Sequence, residues 1–223
     1  MSKINVKICC IGSKVEADLA IKYGASSLGL VGNMPSGPGV IDDVLIKDIA
    51  RHTPSHISTF LLTSNTNAED IIEHHKKTNT TTIQIVDALH KRAYNQIRNE
   101  LPNVKLVQVI HVIDDTSISE AIDISQFVDT ILLDSGNPNL NVKILGGTGK
   151  VHNWDLSKQI VEQVNIPVYL AGGLNASNVR KAIDYVQPSG VDLCSGVRTN
   201  GELDETKLAD FFEAVRGKNS TQP

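Results

Sequence analysis

Lys105-Leu106-Val107-Gln108-Val109-Ile110, Ser117–Ser125 and Thr130-Ile131-Leu132-Leu133-Asp134 read in turn as a strand, an amphipathic helix and a second strand. A helix between two apolar strands is the connection that a parallel pair requires. The same unit recurs along the whole chain. The predicted strands are Asn5–Cys9, Ser27–Val31, Ile57–Leu62, Thr82–Val86, Lys105–Ile110, Thr130–Asp134, Pro167–Ala171 and Val191–Ser195. The predicted helices are Val15–Tyr23, Asp43–Arg51, Ala68–Lys77, Leu89–Asn99, Ser117–Ser125, Trp154–Val164, Ala176–Tyr185 and Glu205–Val215. Apolar residues at helical spacing, such as Leu45, Ile46 and Ile49, or Val179, Ala182 and Ile183, carry the helix assignments. Asn67-Ala68-Glu69-Asp70 and Asn175-Ala176-Ser177-Asn178 supply N-terminal caps.

Eight such units at spacings of about 25 residues predict a parallel sheet closed on itself, an α/β fold of the (β/α)8 TIM barrel class. At 223 residues the chain suits one domain, with the barrel over 1–216 and a polar tail over 217–223. Aromatic residues make up only 4%, so Val, Ile, Leu and Ala must build the core, as strands covered on both faces require. The net charge is −4 with acids and bases interspersed, and no basic block marks a nucleic-acid partner. No apolar run approaches the roughly 20 residues of a membrane span, and the first residues lead directly into a strand. A cytoplasmic protein is expected. The cysteines Cys9, Cys10 and Cys194 are odd in number and lack CxxC spacing, which argues against a disulfide framework and a zinc site.

A barrel of this kind builds its active site from the loops after the strands. Position therefore filters the candidates. Cys9 or Cys10 closes strand one and Asp134 closes strand six, so a thiol and a carboxyl reach one face as a potential base and acid. Gly146-Gly147-Thr148-Gly149 follows strand six, Gly172-Gly173 with Asn175 follows strand seven, and Ser195-Gly196 follows strand eight. Glycine-rich loops there let backbone N–H groups approach a phosphate, so Gly147, Gly149, Gly172, Gly173, Asn175, Ser195 and Gly196 are phosphate-binding candidates. Alternation along strand one assigns Cys10 to the opposite side, as packing. Asp192, inside strand eight, reads equally as a ligand-orienting group or a brace of the barrel. His74-His75 reads as part of a solvated helix face and His111 as a residue at the end of strand five near the pocket.

Lys7-Ile8-Cys9-Cys10-Ile11-Gly12, Leu132-Leu133-Asp134-Ser135, Gly146–Trp154, Ala171-Gly172-Gly173-Leu174-Asn175 and Val191-Asp192-Leu193-Cys194-Ser195-Gly196-Val197, in this order, resemble the phosphoribosylanthranilate isomerase family of tryptophan biosynthesis. The resemblance runs nearly the whole length. It implies an Amadori rearrangement of a phosphorylated aminoaldose to an aminoketose, with Asp134 as the acid and Cys9 as the base. Such a pair needs a carboxyl whose proton affinity is raised and a thiol whose proton affinity is lowered. It implies no metal or organic cofactor, because the substrate nitrogen serves as the electron sink. The partner is a phosphorylated small molecule, and the assembly a monomer or homodimer.

The chain departs from the family pattern in two places. The second loop, Gly32-Asn33-Met34-Pro35-Ser36-Gly37-Pro38-Gly39-Val40, lacks the arginine that the family uses to hold the anthranilate carboxylate. Strand four ends Gln84-Ile85-Val86-Asp87 without the family histidine. Lys150 and Arg198 are the candidate substitutes for the missing cation. The alternatives are an isomerase of another phosphorylated aminosugar, or a barrel that binds a sugar phosphate without turnover.

Overall fold

The computed structural model describes residues 4–137, 145, 149 and 151–217. The strands are β1 (Asn5–Ile8), β2 (Ser27–Val31), β3 (Ser58–Thr63), β4 (Thr82–Ile85), β5 (Lys105–His111), β6 (Thr130–Asp134), β7 (Val168–Leu170) and β8 (Gly190–Leu193). The helices are α1 (Lys14–Tyr23), α2 (Asp43–His52), α3 (Ala68–Thr78), α4 (Lys91–Glu100), α5 (Thr116–Ile124), α6 (Trp154–Gln163), α7 (Val179–Val186) and α8 (Glu205–Arg216). The strands pair in chain order, and β8 pairs back onto β1, so eight parallel strands form a closed barrel.

Side chains alternate across each strand, and this divides the core in two. One set, including Val6, Ile8, Leu28, Leu30, Leu61, Ile83, Ile131 and Leu133, faces outward against the helices. The other set, including Phe60, Val107, Val109, Leu132 and Tyr169, fills the interior. Phe60 and Tyr169 meet there with ring centroids 6.4 Å apart. The helices start on sequence-encoded caps: Ser13, Asn67 and Asp204 each accept a hydrogen bond from the backbone N–H three residues on.

Two local features differ from the sequence expectation. Helix α7 begins at Val179, not Ala176. The Asn175 Oδ1 accepts from Ser177 N at 2.9 Å and the Asn178 Oδ1 accepts from Asn175 N at 2.9 Å, which holds this segment as a turn. After β8 a single 3-10 turn (Ser195–Val197) leads into a two-stranded hairpin, β9 (Arg198–Thr199) and β10 (Glu202–Leu203).

Glu16 on α1 fastens this hairpin to the barrel. Its carboxylate accepts from Gly12 N and Leu203 N, each at 2.8 Å, and from both terminal nitrogens of Arg198 at 2.7 and 3.0 Å. Burial alone would raise the Glu16 carboxyl, but the Arg198 guanidinium and the two amide N–H groups outweigh it and hold the group below the usual range. A depressed carboxyl contributes stability above its unfolded value and loses it as pH falls through the folded value. Glu16→Gln is therefore expected to cost about 2 kcal/mol at neutral pH. The gap to wild type should narrow in urea melts at about pH 3.5. A pH-independent gap would show that the carboxylate charge is not what holds the hairpin.

Candidate active site

Alternation brings the chemistry-bearing side chains to one place. Lys7 and Cys9 share a parity along and just past β1, Leu132 and Asp134 along β6, and Asp192 and Cys194 along and past β8. Cys9, Asp134 and Asp192 line one cleft at the C-terminal ends of the strands. Gly149, Gly172, Gly173 and Ser195 line it too, and Met34, Ser36 and Pro38 of the loop after β2 form its far wall.

Cys9 is the first residue beyond β1, held by Cys9 N donating to Leu193 O at 2.9 Å. Its thiol packs against bare backbone: a Cβ built on Gly29 of β2 would lie 2.7 Å from Cys9 Sγ and 3.0 Å from Lys7 Nζ. Only glycine leaves room there for both side chains. Asp134 Oδ1 accepts from Ser135 N at 2.7 Å. Burial pushes the Asp134 carboxyl up; the Asp192 charge adds to this, while the Ser135 N–H, His111 and Lys7 pull the other way without reversing it. The carboxyl thus tends to keep its proton, as an acid must.

Beneath these groups lies Lys7, which sequence reading passes over. It is 0% exposed, its Nζ donates to Asp192 Oδ1 at 2.9 Å, and it stands 5.3 Å from the centre of the Phe60 ring. Asp192 therefore does brace the barrel, and it lines the cleft as well. The available signal was parity: a lysine inside an otherwise buried strand, two residues before the thiol, must point into the barrel and needs a carboxylate beside it.

The phosphate candidates divide. Gly172 (φ 83) and Gly173 (φ 63) take successive left-handed conformations, which turn the chain after β7 along the cleft. A Cβ on Gly172 would meet His152 Nδ1 at 3.0 Å and Ser135 Oγ at 3.1 Å. Burial pushes the His152 imidazole down to about 4, so it stands neutral beside this turn. Asn175 and Gly196 are not part of the cleft wall: the Asn175 side chain is engaged in its own turn, and Gly196 packs against the Leu174 carbonyl. Gly147 and Lys150 lie outside the described residues.

Three further expectations are corrected. Arg198 is no free cation: its guanidinium clasps Glu16 and the carbonyls of Cys9, Cys10 and Gly201, and the side chain is 9% exposed. Cys10 lines the cleft, because β1 ends at Ile8 and a left-handed φ of 62 at Cys10 breaks the alternation. His74 and His75 are not a solvated face: His74 Nε2 lies 3.0 Å from Asp43 Oδ1, and His75 is buried with Nε2 2.7 Å from Thr80 O. His111, at the end of β5, pairs in register with Asp134 and lies with Nε2 3.0 Å from Val86 O, just behind the cleft wall.

Gly29→Ala is expected to destabilise the barrel by about 1–3 kcal/mol through overpacking. In a Cys9→Ala background the same change should cost less, because the sulfur it displaces is gone. Urea melts of the four proteins check this; an unchanged penalty would show that Cys9 and Gly29 do not share the space.

Residues 6–214 match the family model described as N-(5'phosphoribosyl)anthranilate (PRA) isomerase. The chain is 35% identical to N-(5'-phosphoribosyl)anthranilate isomerase 2 of Methanosarcina mazei, over 97% of this chain and 95% of the relative. It is 34% identical to the N-(5'-phosphoribosyl)anthranilate isomerase of Nostoc punctiforme, over 95% of this chain and 98% of that protein. Among solved structures, phosphoribosyl anthranilate isomerase from Thermotoga maritima superposes with a TM-score of 0.82 at 26% identity, covering 96% of this chain and 99% of that one. A closed parallel barrel with a thiol and a carboxyl at one mouth, matched end to end by these relatives, makes the chain a member of the N-(5'-phosphoribosyl)anthranilate isomerase family.

Proposed function

We propose that the chain catalyses the Amadori rearrangement of N-(5'-phosphoribosyl)anthranilate to the corresponding 1-deoxyribulose 5-phosphate aminoketose, in tryptophan biosynthesis in the cytoplasm, with Asp134 as acid and Cys9 as base. The observation that supports the assignment of roles is the shared cleft, which a half-buried carboxyl and a buried thiol enter from β6 and β1. The family membership carries the reaction itself.

The reaction is an isomerisation, so every atom of the substrate is retained. Asp134 donates its proton to the ring oxygen as the bond from that oxygen to C1′ breaks, and the nitrogen lone pair completes a C1′=N bond. Cys9 then removes the proton on C2′, and the electron pair moves toward the iminium nitrogen to give an enolamine. Tautomerisation of the enolamine gives the C2′ ketone. The raised Asp134 carboxyl suits the first step, because an acid is effective only while it still holds a proton at working pH. The Gly172-Gly173 turn, Ser195 and Gly149 line the same cleft, and exposed backbone N–H groups in such loops suit the 5′-phosphate. A cleft that both groups line lets Asp134 and Cys9 act on one bound substrate in turn.

The test is loss of anthranilate fluorescence with freshly prepared substrate. Asp134→Asn and Cys9→Ser are each expected to lower kcat by about a hundredfold or more, the range for removal of a general acid or base. Rates equal to wild type in both would remove the assignment.

A pH prediction follows from the charges around Asp134. Activity that depends on protonated Asp134 is retained below its raised value and falls as pH rises through it. Asp192→Asn removes a neighbouring negative charge and leaves Lys7 unopposed, and both changes favour ionised Asp134. The alkaline limb of kcat should move to lower pH in this variant. A limb that stays in place would mean that Asp192 does not act on the acid.

A further inference from the structure

Residues 9–13 join β1 to α1 and carry the Cys9 thiol. They form no regular element, so other partners must take up their backbone groups. Cys9 N donates to Leu193 O of β8 at 2.9 Å, and Ile11 N donates to Gly29 O of β2 at 3.0 Å. Gly12 N donates to the Glu16 carboxylate at 2.8 Å. The carbonyls of Cys9 and Cys10 accept from one terminal nitrogen of Arg198, at 3.4 and 2.5 Å. Between these ties the backbone is left-handed at Cys10, with φ 62. A residue other than glycine is disfavoured in that conformation and persists there only where its surroundings enforce it.

Arg198 opens the hairpin that follows β8, where it pairs with Leu203. Its other terminal nitrogen donates to Glu16 Oε1 at 2.7 Å and to Gly201 O at 2.8 Å. The nitrogen that holds the two carbonyls also donates to Glu16 Oε2 at 3.0 Å. Glu16 in turn accepts from Leu203 N at 2.8 Å. The guanidinium is thus fixed by its own hairpin and by α1 at the place where it meets the loop. It does not line the cleft, whereas Cys9 does, so what it touches is the main chain on which the thiol stands. Gly39 of the loop after β2 packs on the same turn: a Cβ there would lie 2.5 Å from Cys10 Cβ. A turn that tilted outward on that side would meet this second loop.

We propose that Arg198 is a positioning residue for the base: through the Cys9 and Cys10 carbonyls it holds the turn that sets where the Cys9 thiol stands in the cleft. Cys9 has its amide fixed to β8 and its carbonyl fixed to Arg198, so the direction of its side chain is set from both ends. Proton removal from carbon tolerates little error, and a displacement of about 1 Å can cost about a hundredfold in rate. Without the guanidinium the left-handed turn loses its charge-assisted bonds and relaxes toward a commoner backbone conformation. The thiol then leaves its seat against Gly29, while the Gly172-Gly173 turn, which follows a different strand, keeps its place. Substrate binding is retained and proton abstraction slows. Lysine cannot stand in, because one ammonium does not serve Glu16 and two carbonyls as a planar fork does. The loss of rate rests on the isomerase reading; the hold on the turn does not.

The test compares wild type, Arg198→Gln and Arg198→Lys with Asp129→Ala. Asp129 precedes β6, at the end of the barrel away from Asp134, and its carboxylate holds Leu106 N and Arg98. Rates are taken per folded molecule, with the folded fraction read by circular dichroism under assay conditions. Both Arg198 variants are expected to lose about tenfold in kcat, with KM within about twofold of wild type. The deuterium isotope effect on kcat for substrate labelled at C2′ should rise in both, because proton removal becomes the slow step. Asp129→Ala, destabilised elsewhere, should keep the wild-type kcat and isotope effect. Iodoacetamide labelling of Cys9, resolved from Cys10 by peptide fragmentation, should be about fivefold faster in the Arg198 variants and unchanged in Asp129→Ala. Arg198→Lys carries the test if Arg198→Gln does not fold. An unchanged isotope effect, a lysine variant as fast as wild type, or labelling that rises equally in Asp129→Ala would overturn the proposal. Wild type that turns over no substrate would remove the isomerase reading, and the labelling would still decide whether Arg198 holds the turn.

Discussion

The hydrogen bonds that join β8 to β1 do more than complete a cylinder. By setting Lys7 opposite Asp192 and Ile8 opposite Leu193, they decide which side chains from the two ends of the chain become neighbours. Residues 185 apart in sequence thereby form an ion pair, and the two segments that carry thiols emerge next to each other. A slip of one residue in this register would turn every inward group on one strand outward. The interior charge, the Cys9 sulfur and the hairpin that follows β8 all inherit their positions from that one seam.

Within the seam, opposite charges are balanced under a third group. A buried ammonium without a partner would be prohibitive, and Asp192 removes that cost while keeping its own negative charge close to Asp134. The pair that braces the barrel therefore also sets the charge beside Asp134. The Phe60 face completes the enclosure of Lys7 with an attraction that needs no further proton acceptor. A second, peripheral set of charges serves a different end: Glu16 and Arg198 tie α1, the loop after β1 and the β9–β10 hairpin into one unit.

Much of this was legible in the residues themselves. Ser27–Val31 and Thr130–Asp134 match their observed bounds because each is a short run centred on aliphatic residues. Strand ends were enough to bring Cys9 and Asp134 into one mouth. What escaped depends on partners far along the chain or on a single backbone angle. Arg198 reads as an available cation because Glu16, 182 residues earlier, gives no local sign of claiming it. Cys10 reads as packing because alternation assumes a strand that continues, whereas β1 stops two residues earlier. The β9–β10 hairpin has two-residue strands, too short for any periodicity to register. Asn175 reads as a helix cap, but its side chain closes a turn instead, and α7 starts three residues later than expected.

The bare patch of β2 at Gly29 has a consequence for redesign. Cys9 Sγ and Lys7 Nζ both rest on it, so the floor beneath the thiol has no slack. Exchanging the sulfur for a bulkier group, such as a carboxylate, meets main-chain atoms that have nothing left to give up. Any remodelling at Cys9 has to begin on the neighbouring strand, by shifting its backbone, before it can succeed at the first.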